Sequence, residues 1–165
     1  MRVERASTGQ MVLASVLLLL LHFWVRPRLF GTDSQWAPDF LLLAFLLFAM
    51  HSGPGAGALA GFLVGLAEDA LVPARFGAGL LAHTLVGTVA AWGRSVFFTD
   101  NLLVTALFLG AGLWLRDLIV LLASGGGDVL GPLLTAGAPH ALVTALTGTL
   151  LVLLFRQWFS VRLDL

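Results

Sequence analysis

The chain has 165 residues, 59% of them hydrophobic and only 11% charged, with zero formal net charge and no cysteine. That length fits one domain, and the charged fraction lies far below the ~25% usual in soluble domains. Together with a mean hydropathy of +0.98, this excludes a disordered chain and argues against a water-soluble globule. The expected class is an all-α integral membrane protein, a compact bundle forming a single membrane domain over residues 1–165. Without cysteine there are no disulfides, thiol nucleophiles or cysteine metal sites. All nine basic residues are Arg, so a phosphate-binding or Schiff-base lysine is excluded too. With no net positive charge, nothing favours nucleic acid as a partner.

A helix needs ~20 mostly apolar residues to cross the hydrocarbon core, and six stretches qualify or come close. The first is Ala6–Val25, closed by Arg26 and Arg28. Its Arg2/Arg5 start is like that of a signal peptide, but no small-residue cleavage site follows, so it reads as an uncleaved span. The second, Ala37–Met50, opens on Trp36 and Pro38 and ends at Ser52-Gly53-Pro54-Gly55. At ~21 Å it is short. Next come Gly55–Val72, Phe76–Gly93, Asn101–Ala123 and Leu133–Phe155. Short loops between them leave no room for a soluble domain. An alternative with five spans makes the Gly-rich third segment re-entrant. With six spans both termini share one side. Arg2, Arg5, Arg94, Arg156 and Arg162 against Arg26, Arg28 and Arg75 put that side in the cytoplasm by the positive-inside rule.

The glycines are ordered. Gly53, Gly57, Gly61 and Gly65 recur every four residues and Asp69 continues the series, while Gly79, His83 and Gly87 repeat the spacing on the fourth span. Residues four apart share a helix face, so each span carries a stripe that another backbone can approach closely. Packing within the bundle and a docking face for a partner's helix both use such a stripe.

Ionisable groups inside spans are the main functional clue, because a centred Arg or Asp costs ~2.5–3.5 kcal/mol on insertion scales. Asp39, Asp69, Arg116 and Asp117 form the candidate intramembrane polar cluster, with Glu68, His22 and His83 nearby. Arg116 and Asp117 are ~100° apart around a helix and face each other poorly, so each is expected to find a partner elsewhere. Asp69 lies ~20 Å along the third span and Arg116 ~22 Å along the fifth, at 1.5 Å per residue. Equal depth predicts that Asp69 (or Glu68) pairs with Arg116 and that Asp39 can join them. Snorkelling of Glu68 and Arg75 into headgroups is the plainer alternative. Signatures of catalysis are missing: Ser124-Gly125-Gly126-Gly127-Asp128 lacks the lysine of a phosphate loop, and no HExxH or GxSxG is present. The four histidines lie in separate segments, and no metal or cofactor is expected.

Three stretches carry a likeness: Pro38-Asp39-Phe40-Leu41-Leu42-Leu43, Gly61-Phe62-Leu63-Val64-Gly65-Leu66-Ala67-Glu68-Asp69, and Gly79-Leu80-Leu81-Ala82-His83-Thr84-Leu85-Val86-Gly87. Together with the late Pro139-His140 and the six-span plan, they resemble the rod shape-determining MreD family, best over residues 38–90. The resemblance implies a non-enzymatic inner-membrane scaffold of the bacterial elongation machinery. It would bind MreC and work indirectly with MreB, RodA and penicillin-binding protein 2 to organise lateral peptidoglycan synthesis. A homodimer is compatible with it. The family fold is similar to the S components of ECF vitamin transporters, which supplies the alternative of a subunit capturing a small ligand.

Overall fold

The computed structural model describes residues 8–31, 34, 36–96, 102–125 and 127–160, those at 8–12, 94–96 and 155–160 as backbone only. Six helical rods account for nearly all of them. They are α1 (residues 8–30), α2 (Phe40–Met50), α3 (Pro54–Leu71), α4 (Ala78–Val96), α5 (Leu102–Ala123) and α6 (residues 130–160). A turn of 3-10 helix, Pro73–Arg75, joins α3 to α4. Of the arginines on which the expected topology leans, Arg2, Arg5 and Arg162 lie outside the described residues. So do Ala6, where the first span was expected to begin, and Asn101, the expected start of the fifth.

Three stretches, Leu13–Phe30, Leu102–Ala123 and Leu130–Leu154, are long and apolar enough to cross a bilayer. The first and last each contain a π-helical turn, Leu21–Val25 and Leu133–Gly137. Proline explains both. The rings of Pro27 and Pro139 collide in an α-helix with the carbonyl four residues earlier, those of Phe23 and Thr135, and these sit inside the two widened turns. The backbone answers with longer bonds, Arg26 N–H to the Leu21 carbonyl and Ala138 N–H to that of Leu133. As a result α1 continues past Val25, where its apolar stretch ends, and stops only at Gly31, whose φ of 76° turns the chain away. The charges that close the apolar run do not close the helix: the Arg28 guanidinium folds 3.8 Å over the Trp24 ring.

Short α2 is the axis of the bundle. Eight of its eleven residues are buried, and it touches each of the other five rods. Leu42, Leu43 and Ala49 have no exposed surface, and Phe45, Leu46 and Met50 have almost none. Around it, α3 and α4 form the most extensive pair, and α5 packs between α4 and α6. Leu109 and Leu113 of α5 complete the apolar centre together with Leu18 of α1. The outward faces of α1, α4 and α6 are leucine-rich, as with Leu142, Leu146, Leu150 and Leu154.

Candidate functional site: two capped helix starts and a buried charge cluster

At eleven residues α2 spans only ~16 Å, so at least one end lies deep among the other rods. The first backbone N–H groups of a helix have no partner within it, and leaving one unbonded in an apolar medium costs several kcal/mol. Side chains from three rods meet that need. The Asp39 carboxylate accepts the Leu42 N–H through Oδ1 at 3.0 Å, and His22 Nδ1 of α1 accepts the Leu41 N–H at 3.1 Å. The Asp39 N–H itself donates to Thr144 Oγ1 of α6 at 3.1 Å. Asp39 is thus an N-cap in the usual sense, with 5% of its surface exposed.

Its second oxygen neutralises the cluster's cation. Arg116 Nη2 of α5 donates to Asp39 Oδ2 at 2.6 Å, the short contact of a charge-assisted bond. The same guanidinium reaches back to its chain neighbour, with Nη1 3.3 Å from Asp117 Oδ1. The expectation that Arg116 and Asp117 face apart therefore fails for this pair: the long Arg side chain closes an angle that the backbone leaves open. His22 Nδ1 also lies 3.5 Å from Asp39 Oδ1. Because that nitrogen accepts the Leu41 N–H, it offers a lone pair to the carboxylate and makes no ion pair with it.

Asp69 departs from the expected cluster. It makes no ion pair with Arg116; both of its oxygens bond to the start of α4. Oδ2 accepts the N–H groups of Gly77 at 2.8 Å and Leu80 at 2.9 Å, and Oδ1 accepts that of Gly79 at 3.0 Å. Similar depth along two helices says nothing about which way each side chain points. From the last turn of α3, Asp69 meets the partly positive end of α4, and three fixed donors hold it there. Glu68, on an adjacent face, approaches buried His83, Nε2 to Oε2 at 3.7 Å. The His83 Nδ1 sits 2.8 Å from the Gly79 carbonyl. Depth and charge pointed to Asp39 and Arg116, whereas Thr144 was missed. Its one signal is that it follows His140 by four residues, placing both on one face of α6.

The glycine stripes meet each other. A Cβ at Gly57 would lie 2.5 Å from the Gly87 carbonyl oxygen, and one at Gly65 2.5 Å from that of Gly79. At Gly61 the added carbon would strike the His83 carbonyl. At Gly79 it would sit 2.5 Å from Asp69 Oδ1, and at Gly87 it would strike the Gly57 carbonyl. Gly57, Gly61, Gly65 and Gly87 thus let α3 and α4 meet backbone against backbone, and Gly79 leaves room for the Asp69 carboxylate, so these five positions pack within the chain.

Between α5 and the start of α6 lies a cavity of about 170 Å³, lined by Arg75, Arg116 and Asp117 with apolar walls that include Leu121 and Leu133. Among the described residues no three His, Asp or Glu side chains group as metal ligands would.

Apolar rods around a buried polar centre define a helical membrane-protein architecture. The chain belongs to the rod shape-determining protein MreD family, whose model matches residues 5–161. That membership assigns it to cell-shape determination and to a membrane. No curated protein and no solved structure matches it.

Proposed function

We propose that the protein is a non-enzymatic membrane scaffold of the bacterial cell-elongation machinery. In this reading it binds MreC in the inner membrane. Through MreC it works with MreB, RodA and penicillin-binding protein 2 to organise lateral peptidoglycan synthesis. The observation that carries the reading is the family match over residues 5–161. The use of the buried acids supports it. Asp39 and Asp69 are engaged by backbone N–H groups and, for Asp39, by Arg116, an arrangement that holds helices in place. In this reading the chain passes through the bilayer six times, in an S-component-like arrangement. An even number of passes puts both termini on one side, and the Arg excess on the inner segments makes that side the cytoplasm.

The competing reading, a transporter subunit that captures a small ligand, needs a larger chamber. Ligand pockets usually enclose ~300–1,000 Å³, whereas the cavity beside Arg116 is about 170 Å³. Detergent co-purification of the tagged protein from its native membranes, followed by mass spectrometry, tests the proposal. Stoichiometric MreC with wall synthases is the expected result. An ATPase-bearing energising module, or a bound vitamin, would replace the scaffold with the transporter.

A further inference from the structure

The cavity between α5 and α6 has a charge pattern that the scaffold reading does not use. Arg116, at its inner side, is already neutralised by Asp39 at 2.6 Å. Asp117 shares only one oxygen with Arg116, Oδ1 at 3.3 Å. Its Oδ2 has no hydrogen-bond partner among the described residues and lies beside Gly137, 3.4 Å from where a Cβ would stand. The cavity therefore presents an acceptor with negative charge to spare.

Arg75 lines the same cavity from the α3–α4 turn. It is exposed and forms no ion pair with a described residue. Two opposite charges thus border one small space without closing on each other. Counting Asp39 behind Arg116, the surrounding charge sums to zero, which disfavours a simple anion or cation and suits a molecule carrying both signs. The walls are apolar, and Leu122 and Leu134, the chain neighbours of the lining residues Leu121 and Leu133, are about 60% exposed.

We propose that this cavity binds a phosphoethanolamine group, with the phosphate on Arg75 and the ammonium on Asp117 Oδ2. An acyl chain would then lie along Leu122 and Leu134. Arg favours phosphate through its planar set of donors, and the ammonium supplies the hydrogen bonds that Asp117 Oδ2 lacks. The zwitterion is what distinguishes this site from the general attraction of arginines for anionic lipid.

Native mass spectrometry of the full chain in detergent tests it, with phosphatidylethanolamine, phosphatidylglycerol and phosphatidylcholine added at equal concentration. The ethanolamine lipid should be retained roughly tenfold over the other two, as one or two charge-assisted bonds allow. Arg75→Gln, on an exposed turn, should reduce that retention to the level of the others, and Asp117→Asn should do the same. Soluble phosphoethanolamine in excess distinguishes the sources. Displacement shows that the headgroup alone suffices, and resistance shows that the site takes a bilayer lipid. Equal retention of all three lipids, or an Arg75→Gln protein with unchanged preference, overturns the proposal. So does displacement of the lipid by a partner polypeptide that occupies the cavity in the native complex.

Discussion

Arg116 and Asp39 stand 77 positions apart in sequence and 2.6 Å apart in space, the acid buried and the guanidinium largely so, where α2 meets α5. The bond joins a cation on a long apolar helix to the acid that caps a short one. Each group answers the other's cost of burial, so removing one leaves the other stranded. Arg116→Met should destabilise the protein by about 3–5 kcal/mol, the usual effect of breaking a buried pair from one side. A thermal melt in detergent would show it. Asp39→Asn in that background should recover part of the loss; strictly additive losses would mean that the two do not act as a pair.

Asp69 caps α4 across a chain reversal, with three N–H groups on one carboxylate. Asp69→Ala should cost about 1–2 kcal/mol, the upper range for a lost cap. Asp69→Asn, which keeps one accepting oxygen, should cost less. Hydrogen exchange at Gly79 and Leu80 would report the fraying directly. Unchanged protection at those amides in the Ala variant would refute the role.

Thr144 offers a finer test because a single hydroxyl is at stake. Thr144→Val keeps the shape and removes the acceptor of the Asp39 N–H, an unmet bond costing about 1–3 kcal/mol. Thr144→Ser should remain close to the parent. If Val and Ser variants melt together, the hydroxyl does not matter.

The contact between α3 and α4 should be intolerant of one methyl group. Gly61→Ala places a carbon against the His83 carbonyl, and since the obstacle is backbone the helices must separate. A loss of at least about 1–3 kcal/mol follows from overpacking. Gly55→Ala is the control, with nothing within 4 Å of the new carbon, and should be neutral or mildly stabilising. The two melts, compared side by side, separate packing from helix propensity.

How much of this was legible in the sequence depends on whether the determinant is local. The six apolar segments and the α3/α4 glycine stripes follow from hydropathy and a four-residue period, and both can be read along one helix. Helix ends were harder. Pro27 and Pro139 widen their turns and let α1 and α6 run on, where charge and hydropathy alone marked a stop at Val25 and a start at Leu133. The site was legible in its membership and partly mistaken in its pairing. Asp39, Arg116 and Asp117 do meet, but Asp69 serves the α4 backbone. Depth is a linear property of sequence, whereas the direction of a side chain depends on how each rod is rotated. Thr144 shows in the sequence only as a residue four places from His140, because its partner is a backbone N–H 105 residues away.

That separation has a consequence for how the molecule is made. Asp39 leaves the ribosome long before Arg116, its counter-ion, and Thr144, the acceptor of its N–H. A nascent chain that stops after α4 carries an acid without its counter-ion and a helix start without its outer lock. The early helices must therefore wait, hydrated or shielded by insertion machinery, until α5 and α6 arrive. Under the proposed topology α6 is thus the helix that completes α2, and chains truncated before Thr144 should be substrates for membrane quality control.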